Sequence, residues 1–272
     1  MMLSSKEIAK KWETIAQGKT ALPIWKQLLL GVLAGMFIAF GALGSTIASA
    51  TIGGGLGKLL GACVFPAGLI LVVLAGAELF TGNCLMAGPA SNGKISLAGM
   101  LKSWLFVYAG NMLGSCLMAF LVSCSGILEQ TAVCSAAMSA AFSKCSLPFS
   151  AALLRGIGCN ILVCGAVWMA SGADSAGGKA VCCFFPVMLF VLCSFEHSVA
   201  NMYYIPLGII IRNHQGDSFP LFRCAIDAVR PEKYAETVHI GNFLLKNLLP
   251  VTLGNILGGA GLAIVYAKVQ KD

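Results

Sequence analysis

What most constrains this chain is where its charges are missing. No Asp, Glu, Lys or Arg occurs between Lys26 and Lys58, between Lys58 and Glu78, or between Lys102 and Glu129. The same holds from Arg155 to Asp174, Lys179 to Glu196, Glu196 to Arg212 and Lys246 to Lys268. A helix crossing a bilayer needs about 20 mostly apolar residues. The gaps therefore predict six spans, near 27–50, 59–87, 103–125, 147–171, 180–211 and 247–267. With 58% of residues hydrophobic and only 11% charged, a soluble globule has nowhere to hide this apolar surface. Disordered chains are polar and charge-rich, and the glycines here follow no strict period. The expected fold class is an all-α, polytopic membrane protein.

The organisation is one six-helix transmembrane domain over 26–268, a preceding segment 1–25, and a polar connecting loop at 212–246. No signal peptide is expected, because five lysines and two glutamates precede the first apolar run. Ser4 and Glu7 form a capping box, with Leu3 and Ile8 as its hydrophobic staple. Ile8, Trp12 and Ile15 then share one face, which suits an amphipathic helix lying at the membrane interface. Lys6, Lys10, Lys11, Lys19 and Lys26 place both termini on the cytoplasmic side of the inner membrane by the positive-inside rule. No basic run interleaved with aromatics points to nucleic acid.

Twelve cysteines resemble a disulfide or metal framework at first sight. Most fall inside apolar spans, none forms a Cys-x-x-Cys pair, and no His stands at ligand spacing from a Cys. They read as small apolar packing residues, so neither metal nor cofactor is expected. Cys124, Cys134 and Cys145, in or near a loop, are the ones open to oxidation.

The chain also repeats itself. Phe65-Pro66 leads to Glu78 with Asn83 five residues on, and Phe185-Pro186 leads to Glu196 with Asn201 five residues on. Gly110-Asn111-Met112-Leu113-Gly114 in the third span matches Gly254-Asn255-Ile256-Leu257-Gly258 in the sixth. Each repeat, about 26–125 and 147–268, holds three spans. An odd number forces the second copy to enter the membrane the other way up, which makes an inverted repeat. In each copy the middle span is interrupted at its glutamate. An intramembrane carboxylate is costly and marks a functional site by default. A helix break frees backbone groups that only protein or a wet cavity can satisfy; Asn83, Asn201, Asn111 and Asn255 are the candidates, as caps alone or as pore lining. His197 replaces Leu79 beside its glutamate and is either a satisfied core residue or a group that changes charge near neutral pH. Thr81 offers a hydroxyl at the opposite break. Lys144 and Arg155 lie near the outer mouth, as solvated cations or as collectors of anions.

The runs Ala77-Glu78-Leu79-Phe80-Thr81-Gly82-Asn83, Phe195-Glu196-His197-Ser198-Val199-Ala200-Asn201-Met202 and Pro250-Val251-Thr252-Leu253-Gly254-Asn255 resemble the signatures of the formate/nitrite transporter family. The resemblance implies an aquaporin-like fold of six helices, second and fifth broken, assembled as a homopentamer with one pore per subunit. It implies an outer constriction of Phe65, Leu69 and Phe190, an inner one of Leu79, Phe80 and Val163, and a polar chamber between them holding Thr81 and His197. Asn160 and Asn201 match polar residues along the path, and Lys144 a basic residue near the anion route. The function so implied is passage of a small monovalent weak acid, formate first and nitrite or hydrosulfide next, with protons and the lipid bilayer as partners. A membrane-embedded metal or thiol enzyme and a pH-indifferent neutral-solute channel are the readings from other classes. The residues alone leave open whether His197 hands over a proton or only tunes the local field.

Overall fold

The structure is a computed structural model that describes residues 2–213 and 231–270. It is all-helical. In chain order the helices are α1 (Ser5–Ala21), α2 (Ile24–Ile52), α3 (Gly54–Val64), α4 (Pro66–Ala75), α5 (Phe80–Asn83), α6 (Ala87–Ser91), α7 (Leu97–Cys124) and α8 (Thr131–Cys145). They continue as α9 (Phe149–Gly172), α10 (Ala176–Leu192), α11 (Ser198–Asn213), α12 (Pro231–Thr237) and α13 (Leu249–Val269), the last preceded by a wider π-type segment, Asn242–Leu248. Among the described residues five helical runs are long and apolar enough to cross a membrane: Ile24–Ile52, Gly54–Ala75, Leu97–Cys124, Phe149–Gly172 and Asn242–Val269. The remaining span is split, α10 being a shorter apolar helix and α11 following after a break. Large side chains such as Leu29, Phe40, Leu105, Phe120, Leu154 and Val265 face outward, a surface that suits lipid and not water.

The bundle is built on close backbone approach. α2 packs along α7, and α9 along α13. A Cβ placed on Gly110 or Gly114 would run into the backbone of α2, and one on Gly254 or Gly258 into that of α9. The two glycine–asparagine motifs thus do the same work in the two copies, and small residues at such crossings are what lets membrane helices associate without a hydrophobic drive.

Both termini lie on one face. The Leu3 N–H donates to the Gly172 carbonyl at the end of α9, and Lys268 near the end of α13 reaches the Ser91 carbonyl at the end of α6. We call this the terminal face and the opposite one the far face. The capping box at the start of α1 forms, with Glu7 accepting from both the Ser4 N–H and hydroxyl. The apolar side of α1 is turned onto the protein: Ile8 and Trp12 are each 2% exposed, and the Trp12 indole donates to the Ser171 hydroxyl. Residues 126–146, which carry no span in the sequence, contain α8, whose Val133, Ala137, Met138 and Ala141 are buried. Of the polar stretch 212–246, Pro231–Thr237 is helical and 214–230, with His214, lie outside the described residues.

Candidate functional site

The two breaks, at 76–79 and 194–197, are built alike. Each opens with a left-handed residue, Gly76 at φ 76° and Ser194 at φ 56°. Past it the chain turns back, the Ala77 N–H reaching the Val72 carbonyl and the Phe195 N–H the Phe190 carbonyl, both at 3.0 Å. The Glu78 N–H then donates to the Leu30 carbonyl and the Glu196 N–H to the Arg155 carbonyl, both at 3.2 Å. The Asn111 amide donates to the carbonyls of Gly31 and Glu78 while its oxygen accepts from the Phe80 N–H. Asn255 repeats this with the Gly156 and Glu196 carbonyls and the Ser198 N–H. The freed backbone groups are thereby satisfied inside the protein, as a bilayer demands.

Each glutamate has the same two partners. Asn83 donates to Glu78 at 2.8 Å and Asn201 to Glu196 at 2.7 Å. Lys19 of α1 lies 2.6 Å from both Glu78 oxygens, and Lys144 of α8 lies 3.1 Å from both Glu196 oxygens. The sequence alone missed Lys19, which it leaves in a surface segment. The duplication implies a lysine opposite Glu78 only once Lys144 is seen to pair with Glu196, and that pairing is visible in the structure alone.

Between the breaks the copies differ. Thr81 Oγ1 and His197 Nε2 meet at 2.9 Å, both side chains buried. Nδ1 of the same ring accepts the Ala200 N–H at 3.0 Å. A neutral imidazole that accepts at Nδ1 carries its proton at Nε2, so the ring presents that proton to the threonine. The Thr81 carbonyl is held by the Asn160 amide and the Cys164 thiol, each at 3.2 Å. Beside the pair is a small void of about 10 Å³ lined by Phe65, Leu69, Leu79, Val163, Phe190 and His197 among others, at the lower limit for a single water. Phe65 meets Phe190 edge-on at 5.5 Å, and Phe190 stacks on the His197 ring at 5.8 Å.

On either side the space widens. A cavity of about 280 Å³ on the far side is lined by Lys144, Arg155, Glu196, His197 and Tyr204 among others, and one of about 270 Å³ on the terminal side by Lys11, Lys19, Glu78, Leu79, Asn83 and Lys179 among others. Three expected site residues sit elsewhere. The Phe80 ring borders neither the void nor the two cavities; it is held edge-on by Trp104 and Tyr108, at 5.9 and 4.8 Å, beside an apolar groove. Asn160 and Asn201 also stand behind the path, because their amide donors are engaged by the Thr81 and Asn255 carbonyls and by Glu196 and Asn247.

Comparison with known proteins follows this geometry. The family described as "Formate/nitrite transporter" matches residues 6–268. A probable formate transporter of Methanothermobacter thermautotrophicus is 36% identical over 278 residues, covering 94% of this chain and 93% of its own. The formate channel FocA of Escherichia coli (strain K12) is 37% identical over 239 residues, covering 86% and 82%. The solved structure of a pentameric formate channel with formate bound superposes with a TM-score of 0.77 at 34% identity, covering 90% of this chain and 96% of that one. The chain belongs to the formate/nitrite transporter family, whose members are membrane channels and transporters and not enzymes.

Proposed function

We propose that this chain conducts formate, as the neutral acid, through one pore per subunit of a homopentamer in the inner membrane, with both termini cytoplasmic. The observation that carries the reading is the Thr81–His197 contact, set between two basic cavities and next to an apolar void. A bare anion in such a constriction is strongly disfavoured, whereas a protonated weak acid passes; the cavities gather the anion and the apolar walls admit the acid. Apolar constrictions with a polar relay are a known route to selectivity. Phe65, Leu69 and Phe190 form the far constriction, and Leu79 and Val163 the terminal one. His197 acts as a hydrogen-bond donor: a neutral ring that gave up its Nε2 proton would become an imidazolate in apolar surroundings, so the proton that neutralises formate comes from the bulk, carried as hydronium through the water of the cavity. Lys144, Glu196, Lys19 and Glu78 hold the two entrances open. The pentamer rests on the similar pentameric formate channel, and the orientation on the five lysines before α2.

The test is uptake of formate, nitrite and hydrosulfide into proteoliposomes at two pH values. Formate uptake should rise as pH falls. His197→Asn should slow uptake several-fold and keep that pH slope. Thr81→Val should weaken binding by the loss of one hydroxyl, about 1 kcal/mol. A wild type that carries no formate ends the reading. A folded His197→Asn channel that loses the pH slope makes the ring itself the proton donor, and one with unchanged rate makes it a packing residue.

A further inference from the structure

The far cavity holds a cation that the scaffold does not require. The Arg155 carbonyl accepts the Glu196 N–H at 3.2 Å, and in the other copy the Leu30 carbonyl does the same for Glu78 at the same distance. A leucine is therefore sufficient for the structural task, and the guanidinium at 155 is additional. It lies half-buried on the wall of the cavity that also holds Lys144, Glu196 and His197. Lys144 is balanced already: its ammonium is equidistant from the two Glu196 oxygens and lies 5.2 Å from the Tyr204 ring centre. No ion pair to Arg155 forms among the described residues. With His197 neutral, the described residues that line the cavity thus carry one positive charge beyond the Lys144–Glu196 pair, and that charge belongs to Arg155.

A guanidinium is not a generic cation. Its planar fork matches the two oxygens of a carboxylate with two parallel hydrogen bonds, which an ammonium cannot reproduce. We propose that Arg155 is a specificity-determining residue of the far entrance, docking planar two-oxygen monoanions such as formate and nitrite ahead of the constriction and favouring them over hydrosulfide, which has no second oxygen to engage. This rests on the channel reading above and adds to it the class of anion that the entrance selects. Capture and passage are thereby divided: Arg155 sorts the anion in a wet cavity of about 280 Å³, and the apolar void admits only the acid formed from it.

The experiment uses full-length protein reconstituted with the far face outward, with initial uptake measured against substrate concentration for formate, nitrite and hydrosulfide. Arg155→Leu installs the residue that the other repeat carries, and Arg155→Lys keeps the charge without the fork. Arg155→Leu should raise the half-saturating concentration of formate and nitrite about tenfold with maximal rate unchanged, and that of hydrosulfide distinctly less, since hydrosulfide loses the charge but no fork. Arg155→Lys should raise the half-saturating concentration several-fold for the two-oxygen anions alone, and it serves as the test if the leucine variant fails to fold. Wild-type half-saturation in Arg155→Leu overturns the proposal, as does full recovery in Arg155→Lys or an equal loss for hydrosulfide. A wild type that carries nitrite but no formate ends the formate reading and leaves the docking test intact with nitrite; one that carries neither overturns both.

Discussion

The breaks at Glu78 and Glu196 are the same backbone turn built twice with largely different side chains. Residues 76–83 and 194–201 share the left-handed start, the glutamate, the asparagine five residues on and a capping asparagine from a later span. Six of the eight paired positions carry different side chains; those that reach the void, the cavities or the centre include Leu79 against His197 and Thr81 against Val199, with Leu30 against Arg155 on the helices alongside. One further difference is an exchange. Ser115 in the first copy donates to the Val199 carbonyl, while in the second the donor to the equivalent Thr81 carbonyl is Asn160, on a different helix. The shared glutamates and asparagines hold the backbone open; of the unshared residues, Leu79, His197 and Arg155 line the void or a cavity and Thr81 meets His197 at the centre, whereas Phe80 packs away from the path. Symmetry thus sorts scaffold from chemistry without reference to any other protein.

The largest expected effect tests the shared part. Asn111→Leu leaves the Glu78 carbonyl and Phe80 N–H unpaired where water cannot reach, and Asn255→Leu the Glu196 carbonyl and Ser198 N–H, while the Gly31 and Gly156 carbonyls keep their helical partners. At about 1–3 kcal/mol per orphaned group, each should cost about 2–6 kcal/mol, read as a loss of folded yield and a lower unfolding midpoint in detergent. Comparable losses are expected; a tolerated variant on one side would show that the copies are not built alike. Next come the ion pairs. Lys19→Gln and Lys144→Gln leave a carboxylate in a largely buried place, the lysine side chains being 17% and 16% exposed. The residual exposure lowers the cost to about 2 kcal/mol, below that of a wholly buried pair. Pairing each with Glu78→Gln or Glu196→Gln should restore most of the midpoint, and failure of rescue would mean that the lysines stabilise through packing. The smallest effect sharpens the comparison. Ser194 adopts the conformation that Gly76 adopts freely, at a cost of about 1 kcal/mol for a residue with a Cβ. Ser194→Gly should raise the unfolding midpoint by a few degrees and Gly76→Ser lower it; a drop in both would mean that the Ser194 hydroxyl is needed in the far cavity.

Much of this was legible in the residues. Charge-free runs located the spans because lipid tolerates so few charges, and the duplicated motifs located the breaks. Lys19 was not legible because it pairs with a residue 59 positions away, and nothing local marks it apart from its neighbouring lysines. Helix α8 was hidden by composition: its Ala and Ser carry no strong apolar period, yet it delivers Lys144. The site was legible as a set of residues and less so as a set of directions. Phe80 stands next to Leu79 in sequence, but in the first turn of a helix neighbours point apart, and the Phe80 ring goes to Trp104 and Tyr108.

The partition of partners bears on how the chain is made. The groups that satisfy Glu78 and the backbone at 78–80, namely Lys19, Leu30, Asn83 and Asn111, precede residue 112, and only the Thr81 carbonyl draws on the second repeat, through Asn160 and Cys164. Those that satisfy the second break, Lys144, Arg155, Gly156, Asn201, Asn247 and Asn255, all follow residue 112. Each glutamate is also translated after its lysine, by 59 and 52 residues. A nascent chain leaving the ribosome can therefore place Glu78 in the bilayer with its cation already synthesised, and form the contacts of Glu78 and Phe80 before any of the second repeat exists, leaving the Thr81 carbonyl to be capped later by Asn160 and Cys164.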